Sequence, residues 1–327
     1  MRISTISLLL AALVAAPGQV RADVWKDPAR YRLEYRVDLS ALAVRPGQHV
    51  RVWVPYPATT TDQTVVSGEI EAPWPYRLTR DAGGNQMVYL EGVGPAGGPL
   101  IVRAVIDRSP SHGVAKSAIT AGTPEDPQRY HTPLRLIPLD GVIRQTAEQE
   151  SKGLSDDDAK AHAFYDYVVR TMSYDKSGEG WGRGDAVWAC ANKRGNCTDF
   201  HSLFIGMAMS EGIAARFHIG FPIPASGDEG EIPGYHCWAE FYSPTRGWVP
   251  IDASEAKKSG KTEAYFGVLP DDRIQLSLGR DLRLEPPQDG PPLNYFVYPY
   301  VEIDGAPAPD LKPSVHFTRL PISGAGA

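Results

Sequence analysis

A cysteine lies at the predicted start of a helix in the segment RGNCTDFHSLF, residues 194–204. Apolar residues follow Cys197 at helical spacing, and Gly212 marks the predicted end of the helix. The unpaired N–H groups and the positive dipole end at a helix N-terminus favour a thiolate, which is the nucleophilic form of cysteine. Cys197 is therefore a candidate nucleophile, although a buried structural cysteine can occupy the same position.

Two residues downstream could activate this nucleophile. His236 lies in the predicted strand YHCWAEFY (235–242), and Asp252 lies in the predicted strand WVPIDAS (248–254), with the turn SPTRG between them. If these strands form a hairpin centred on residue 244, His236 and Asp252 lie opposite each other on one face. A cysteine nucleophile needs a base, and the base needs a group that orients it. The chain supplies such a set in the order Cys, His, Asp.

Alternation along the first of these strands predicts where its other side chains point. We expect Trp238 and Glu240 to share the face of His236. We expect Cys237, Ala239 and Phe241 to face the opposite way.

The elements that must position these residues are readable from periodicity. Residues 24–135 alternate apolar and polar side chains in short runs separated by Gly and Pro, which predicts an antiparallel, sandwich-like β domain. The Pro- and Thr-rich stretch 120–140 is interpreted as a linker. SDDDAKAHAFYDYVVRTM predicts a helix capped by Ser155, and ARFHIGF (215–221) predicts a strand. The tail, 260–327, holds further strand-like pieces, which we expect to pack back onto one of the domains.

Three motifs together resemble the core domain of the transglutaminase-like superfamily. They are GNCTDFHSLFIGMAMSEGIAARFHIGF, GYHCWAEFY and GWVPIDASEA, and the resemblance covers roughly residues 140–260. It implies an α+β, papain-like fold in which the cysteine-bearing helix packs on an antiparallel sheet. It also implies Cys197 as nucleophile, His236 as general base and acid, and Asp252 as the residue that orients His236. Outside this region the resemblance is weak.

These patterns and the resemblance divide the chain into four predicted parts. Residues 1–22 are a predicted signal peptide, 23–135 the β-sandwich-like domain, 136–260 the transglutaminase-like catalytic core, and 261–327 a β-rich C-terminal extension.

The N-terminus and the charge bear on where the chain works and what it contacts. Arg2, an apolar run and the sequence Val20-Arg21-Ala22 are typical of a cleaved signal peptide, so we expect a periplasmic or secreted protein with no integral membrane segment after cleavage. The formal net charge of −6 and the scattered Lys and Arg argue against nucleic acid as a partner. We expect a protein or peptide substrate, with cell-wall peptide as one candidate.

We predict no cofactor and no metal. No EF-hand-like acidic loop is present, and the spacing of Cys190, Cys197, His236 and Cys237 matches no short paired-ligand pattern for zinc. In an oxidising compartment Cys190 and Cys237 could form a disulfide, or both could be buried thiols; the sequence leaves this open.

The mechanism implied by the resemblance is acyl transfer through a Cys197 thioester at an amide or peptide bond. The Cys197 N–H is the natural first oxyanion donor, and the indole N–H groups of Trp181 and Trp188 are candidates for the second. We predict hydrolysis rather than cross-linking. The alternative is a catalytically silent scaffold that binds a protein or cell-wall partner.

Overall fold

The structure is a computed structural model that describes residues 28–322. The predicted signal peptide, residues 1–22, lies outside the described residues. Among the described residues, no helix is both long and apolar enough to cross a membrane.

Within residues 28–322 the α-helices are α1 Gly141–Glu150, α2 Asp157–Thr171, α3 Ala186–Asn192, α4 Cys197–Ser210 and α5 Ala253–Ser259. The strands of the N-terminal part are β1 Ala29–Val37, β2 His49–Tyr56, β3 Gln63–Glu71, β4 Tyr76–Arg80, β5 Gln86–Val93 and β6 Leu100–Arg108. Those of the central part are β7 Ser173–Tyr174, β8 Arg194–Gly195, β9 Ala215–Pro222, β10 Glu229–Glu231, β11 His236–Ser243 and β12 Gly247–Ile251. The last strands are β13 Arg273–Leu278, β14 Tyr300–Ile303, β15 Ala306–Pro307 and β16 Ser314–Leu320.

The N-terminal strands lie in two antiparallel sheets, of order β10-β16-β1-β6-β3 and β15-β14-β2-β5-β4. In β1 the buried side chains alternate with exposed ones, because a strand with one covered face buries every second residue. Tyr31, Leu33 and Tyr35 of β1 belong to the same buried cluster as Val50 and Val52 of β2. The two sheets therefore share an apolar core. The α+β fold with a β-rich N-terminal region is confirmed.

A third antiparallel sheet, of order β12-β11-β9-β13, carries the helix α4 on one face. Its strands β9, β11 and β12 are buried on both faces. The rings of Phe241 and Phe204 of α4 lie 6.3 Å apart on the helical face. On the other face, Arg216 and His218 both contact Glu240, so the polar residues that alternate along these strands satisfy one another.

The C-terminal residues complete all three sheets. β13 pairs with β9 in the core sheet, β14 pairs with β2, and β16 pairs with β1 and with β10. The connection 222–234 between β9 and β11 contributes β10. The tail therefore links the core sheet to both sheets of the sandwich.

Several element boundaries differ from the prediction. The cap of α2 is Asp156, whose side chain accepts from the Ala159 N–H, rather than Ser155. The strand predicted over 248–254 ends at Ile251, because Asp252 caps α5 and its carboxylate accepts from the Glu255 N–H. Helices α1, α3 and α5 were not predicted; α3 and α5 each have 7 residues, too few for a clear helical period.

Candidate active site

The mouth of α4 is held by reciprocal hydrogen bonds around Cys197. Asn196 is the N-cap, and its side chain accepts from the Thr198 N–H at 2.9 Å. Asp199 reaches back to the Asn196 N–H at 2.9 Å, which completes a capping box. Gly195 has φ +145°, and a Cβ there would lie 2.2 Å from Oδ2 of Asp199. Only glycine fits the turn that delivers the cysteine to the helix start.

His236 and Asp252 come together, but not by the predicted register. The Nε2 atom of His236 lies 2.6 Å from Oδ2 of Asp252. The hairpin pairs Glu240 with Pro250 and Ser243 with Gly247, so it is centred one residue later than predicted. Continued past its last pair, this register would place residue 252 opposite residue 238 rather than opposite 236. The imidazole therefore reaches the carboxylate diagonally, from the first residue of its strand.

The Asp252 carboxylate accepts hydrogen bonds at both oxygens. Oδ1 accepts from the Ser254 hydroxyl at 3.0 Å and from the Glu255 N–H at 2.9 Å. Oδ2 faces His236 and also accepts from Nη2 of Arg273 at 3.0 Å. Asp252 is fully buried. Burial alone would raise the pKa of its carboxyl, but the charge and hydrogen bond of His236 and the charge of Arg273 together hold that pKa well below its usual value.

The electrostatics favour a thiolate–imidazolium pair. A hydrogen bond with the Cys237 thiol, followed by one with His236, lowers the pKa of the Cys197 thiol well below its ordinary value, against the opposing effect of burial. Burial would lower the pKa of His236, but the charge of Asp252 and the hydrogen bonds to Asp252 and Cys197 together raise that pKa to about 9. Because Nε2 of His236 is held by Asp252, the other ring nitrogen, Nδ1, is the one left for Cys197.

Cys237 has a contact that alternation did not predict. Its Sγ lies 3.6 Å from Nδ1 of His201 and 3.8 Å from the Thr198 hydroxyl, both on α4. As expected from alternation, Cys237 faces α4. Because Cys197 at the start of α4 lies beside the first residues of β11, both His236 and Cys237 reach it. Burial raises the pKa of the Cys237 thiol well above its ordinary value.

The described structure contains no Cys190–Cys237 disulfide. All three cysteines are free, buried thiols. The Sγ atom of Cys190 lies 3.6 Å from Oγ1 of Thr146 and 3.6 Å from Nζ of Lys193, and neither residue contacts Cys237.

His201 and Asp199 make contacts beside Cys197 that the sequence did not reveal. Nδ1 of His201 lies 2.7 Å from the Cys197 carbonyl oxygen, and its Nε2 accepts from the Ala253 N–H at 3.2 Å. The carboxylate of Asp199 accepts from the N–H groups of Gly182 and Gly184 at 2.7 and 3.0 Å. Asp199 therefore fixes the Gly-rich loop 178–185 against the N-terminus of α4.

Four tyrosines of intermediate exposure surround the nucleophile, and Cys197 itself is only 2% exposed. The Tyr235 hydroxyl accepts from Asn196 Nδ2 at 3.0 Å and lies 3.3 Å from the Thr198 hydroxyl. The ring of Tyr235 contacts those of Tyr295 and Tyr298 in the C-terminal segment, at 5.6 and 5.9 Å. The four rings are those of Tyr174, Tyr235, Tyr295 and Tyr298.

The candidate second oxyanion donors differ in availability. The indole N–H of Trp181 donates to the Gly178 carbonyl at 3.1 Å, so that bond must break before Trp181 can serve a substrate. The Trp188 indole packs closely over Gly180, where a Cβ would lie 2.4 Å from Nε1.

A group of three side chains away from the site has the spacing of metal ligands. His162 and Asp166 on α2 and the nearby Glu263 could each offer one ligand atom within 4.8 Å of the others. The two ring nitrogens of His162 face different carboxylates, Nδ1 toward Asp166 at 3.2 Å and Nε2 toward Glu263 at 3.4 Å. The contacts of His162 with these two carboxylates account for the geometry without a metal.

Comparisons with known proteins bear on the family and the fold. Residues 144–253 match the family model described as Transglutaminase-like superfamily, so the predicted resemblance is confirmed over that segment. The chain is 27% identical over 254 residues to an uncharacterized protein of Haemophilus influenzae, covering 65% of this chain and 69% of that protein.

Two solved structures are similar in fold. One is a protein from Cytophaga hutchinsonii proposed to be a cysteine protease, with a TM-score of 0.62 and 15% identity over 91% of this chain and 93% of that one. The other is the periplasmic domain of TgpA from Pseudomonas aeruginosa bound to ethylmercury, with a TM-score of 0.39 and 15% identity over 76% of this chain and 98% of that one. The first supports the α+β fold across most of the chain.

Proposed function

We propose that this chain is a transglutaminase-like cysteine enzyme that transfers the acyl group of an amide or peptide bond through a thioester on Cys197. The observation that carries the proposal is the contact of 2.6 Å between His236 Nε2 and Asp252 Oδ2, beside a cysteine at a helix N-terminus. Asp252 fixes the imidazole with its other nitrogen free for Cys197. The opposite pKa shifts of Cys197 and His236 support a resting ion pair.

Each step of the reaction has a residue suited to it. The Cys197 thiolate attacks the substrate carbonyl carbon and forms a tetrahedral oxyanion. The N–H groups of Thr198, Asp199 and Phe200 are already bonded to Asn196, so the Cys197 N–H is the first-turn donor best suited to that oxyanion. His236 then gives its proton to the leaving amine, and the thioester remains.

The second half of the reaction returns the enzyme to its resting state. Water attacks the thioester, His236 takes a proton from that water, and the carboxylic acid leaves as the Cys197 thiolate is restored. A primary amine could attack in the same way and give a new amide. We propose hydrolysis as the main outcome, and the proposed protease activity of the Cytophaga hutchinsonii neighbour supports that choice.

The substrate is proposed to be a protein or peptide outside the cytoplasm, with cell-wall peptide as one candidate. The signal-peptide pattern of residues 1–22 supports export. The tyrosine rings around Cys197 offer flat, partly polar surfaces on which a peptide chain could pack.

A mass-spectrometric product assay tests this function. The protein and its Cys197→Ala variant are incubated with a peptide set that contains glutamine, together with a free primary amine. Cleaved or deamidated peptide, absent with the variant, is the expected result. An amine adduct on glutamine would show transamidation instead. Unchanged peptides with both proteins, across a wide set that includes cell-wall peptides, would contradict the proposal.

A silent scaffold is the second candidate, and the low exposure of Cys197 favours it. In that case the protein binds a protein or cell-wall fragment without turnover. Thermal stabilisation by such a fragment, equal in the Cys197→Ala variant and without any product, would support the scaffold. Slow alkylation of Cys197 at every pH would support it as well, because a site that never opens does not admit the reagent.

A further inference from the structure

The Asp252 carboxylate has a second cationic partner that lies far along the chain. Arg273 donates from Nη2 to Oδ2 of Asp252 at 3.0 Å, and this is the same oxygen that faces His236 at 2.6 Å. Arg273 is the first residue of β13, beyond the segment 144–253 that matches the family model. Its sequence context, DDRIQL, resembles an ordinary polar start of a strand.

Burial of this ion pair costs desolvation free energy. Arg273 is 4% exposed and Asp252 is fully buried. Desolvation of a guanidinium is expensive, and a buried ion pair often adds little net stability. Nη1 of Arg273 bonds to Asp272, whereas its Nε is buried and has no hydrogen-bond partner within the described residues. One of its donors, Nε, is therefore left without a hydrogen bond, while Nη2 donates to the Asp252 carboxylate.

We propose that Arg273 is a positioning residue for the reaction at Cys197, acting through the carboxylate of Asp252. This inference rests on the proposed function. The guanidinium and the Glu255 N–H hold opposite oxygens of the carboxylate, so its plane is fixed and Oδ2 stays aimed at His236 Nε2. Without Arg273, the carboxylate could rotate about its Cβ–Cγ bond, and the imidazole would lose its orientation.

The charge of Arg273 has a separate effect on His236. Asp252 stabilises the imidazolium, whereas the positive charge of Arg273 opposes it. General acid catalysis needs an imidazolium that can release its proton to the leaving amine. A histidine paired with an uncompensated buried carboxylate would hold that proton too tightly. Arg273 thus offsets part of the Asp252 charge while keeping its carboxylate in place.

Other groups also act on this cluster. The charged or titratable side chains that face it, from α2, α4, α5, β7, β11, β13 and the turn before Phe266, are those of Tyr165, Tyr174, Cys197, His201, His236, Cys237, Asp252, Glu255, Tyr265 and Asp272. Arg273→Gln removes the charge but keeps an N–H donor for Oδ2 of Asp252, so it leaves these groups in place. A change in titration of His236 then reports the loss of one charge.

The test uses Arg273→Gln, which removes the charge, and Arg273→Lys, which keeps it. The ring signals of His236, identified by their loss in His236→Ala, are followed against pH by NMR. In Arg273→Gln we expect the midpoint of His236 to rise by about 1 pH unit. We expect kcat to fall about tenfold with a smaller change in KM. The His236 midpoint of Arg273→Lys should lie close to that of the unaltered protein.

Arg216→Gln is the matched control for removal of a buried arginine. Arg216 is 3% exposed and pairs with Glu240 on the opposite face of the core sheet. We expect this variant to lose stability without moving the His236 midpoint. An unchanged midpoint in folded Arg273→Gln would overturn the inference, as would a shift of equal size in Arg216→Gln.

Failure of the inference can be told apart from failure of the proposed function. The pH dependence of Cys197 alkylation needs no substrate and is measured on the same proteins. If Cys197 reacts as a thiolate but Arg273→Gln leaves His236 unchanged, only the role of Arg273 is refuted. If Cys197 of the unaltered protein titrates as an ordinary thiol, the proposed function is refuted, while the His236 midpoint still reports on Arg273.

Discussion

The carbonyl oxygen of Cys197 lies 2.7 Å from Nδ1 of His201, one helical turn further along α4. The opposite ring nitrogen of His201 accepts from the Ala253 N–H at 3.2 Å. A nitrogen that accepts carries no proton, so His201 is neutral with its proton on Nδ1, which donates to the Cys197 carbonyl. The residue joins the start of α4 to the start of α5, and Asp252 caps the latter.

The pKa values of two buried histidines should therefore be shifted in opposite directions. Burial lowers the pKa of His201, whereas the charge and hydrogen bond of Asp252, together with the hydrogen bond to Cys197, outweigh burial at His236 and raise its pKa to about 9. At neutral pH we expect NMR to show a neutral His201 and a protonated His236. The variants His201→Asn and His236→Ala assign the two signals. A His201 protonated at neutral pH would contradict the hydrogen-bond scheme around Ala253.

The stability of the unaltered protein should change little with pH across the neutral range. Between about pH 6.5 and 8.5 an unfolded chain carries one proton on the Cys197 thiol and none on His236. The folded protein also carries one, on His236. This pair therefore takes up no net proton on folding, and it does not make the free energy of unfolding depend on pH.

In the Cys197→Ala variant, the free energy of unfolding should depend on pH. In that variant only His236 titrates, and Asp252 keeps its folded pKa above its unfolded value. The stabilisation is full below about pH 6.5 and is lost as the pH rises toward the folded pKa, by up to about 1.4 kcal/mol per pH unit. Urea unfolding at several pH values measures this. A variant without this slope would mean that Asp252 does not raise the folded pKa of His236.

Asp252→Asn should remove most of the activity while the fold survives. An asparagine can still accept from the Ser254 hydroxyl and the Glu255 N–H, and it is as good a helix cap as aspartate. It cannot stabilise the imidazolium, so we expect kcat/KM to fall by about 10³–10⁴-fold. Circular dichroism checks the fold. The contrary outcome is a variant with nearly full activity at neutral pH, which would deny Asp252 a role in orienting His236.

Cys237 is expected to tune the nucleophile rather than to attack. Its thiol shares a hydrogen bond with Cys197, and this bond is the largest influence that lowers the pKa of Cys197. Cys237→Ala should move the acid limb of Cys197 alkylation to higher pH, and Cys237→Ser should keep more of the original profile because a hydroxyl can donate. Cys190→Ala is the control, since Cys190 contacts Thr146 and Lys193 instead. An identical acid limb in all three variants would be inconsistent with this role.

Asp199→Asn should loosen the loop 178–185. Asp199 accepts from the N–H groups of Gly182, Gly184 and Asn196, and an amide has one carbonyl oxygen where the carboxylate has two. Leaving a buried N–H without an acceptor costs about 1–3 kcal/mol. Faster hydrogen exchange across this loop and a lower rate are expected.

Asp185→Asn is the matched control for that change. Asp185 caps α3 by accepting from the Trp188 N–H, and asparagine serves equally well at an N-cap. Its hydrogen exchange and rate should be close to those of the unaltered protein. Similar exchange rates in the two variants would show that Asp199 does not hold the loop.

The sequence was most informative where a local pattern repeated. Helix α4 and strands β9 and β11 have enough residues to show their periods, and the capping residues before Cys197 mark a helix start in the sequence itself. Short elements were missed or misread. Asp252 lies at a strand-to-helix junction, where the strand period ends at Ile251 and a helix of 7 residues begins.

By itself the sequence determined which residues are candidates for the chemistry and that they lie on a helix start and a β-hairpin. This follows because caps, turns and periodicity are local properties of the chain. Only the tertiary structure decided the diagonal contact of His236 with Asp252 and the approach of Cys237 to Cys197. It also decided the arrival of Arg273 on the carboxylate, through pairing of β13 with β9. Such contacts join residues far apart in the chain, and they depend on strand register and helix placement that no local pattern encodes.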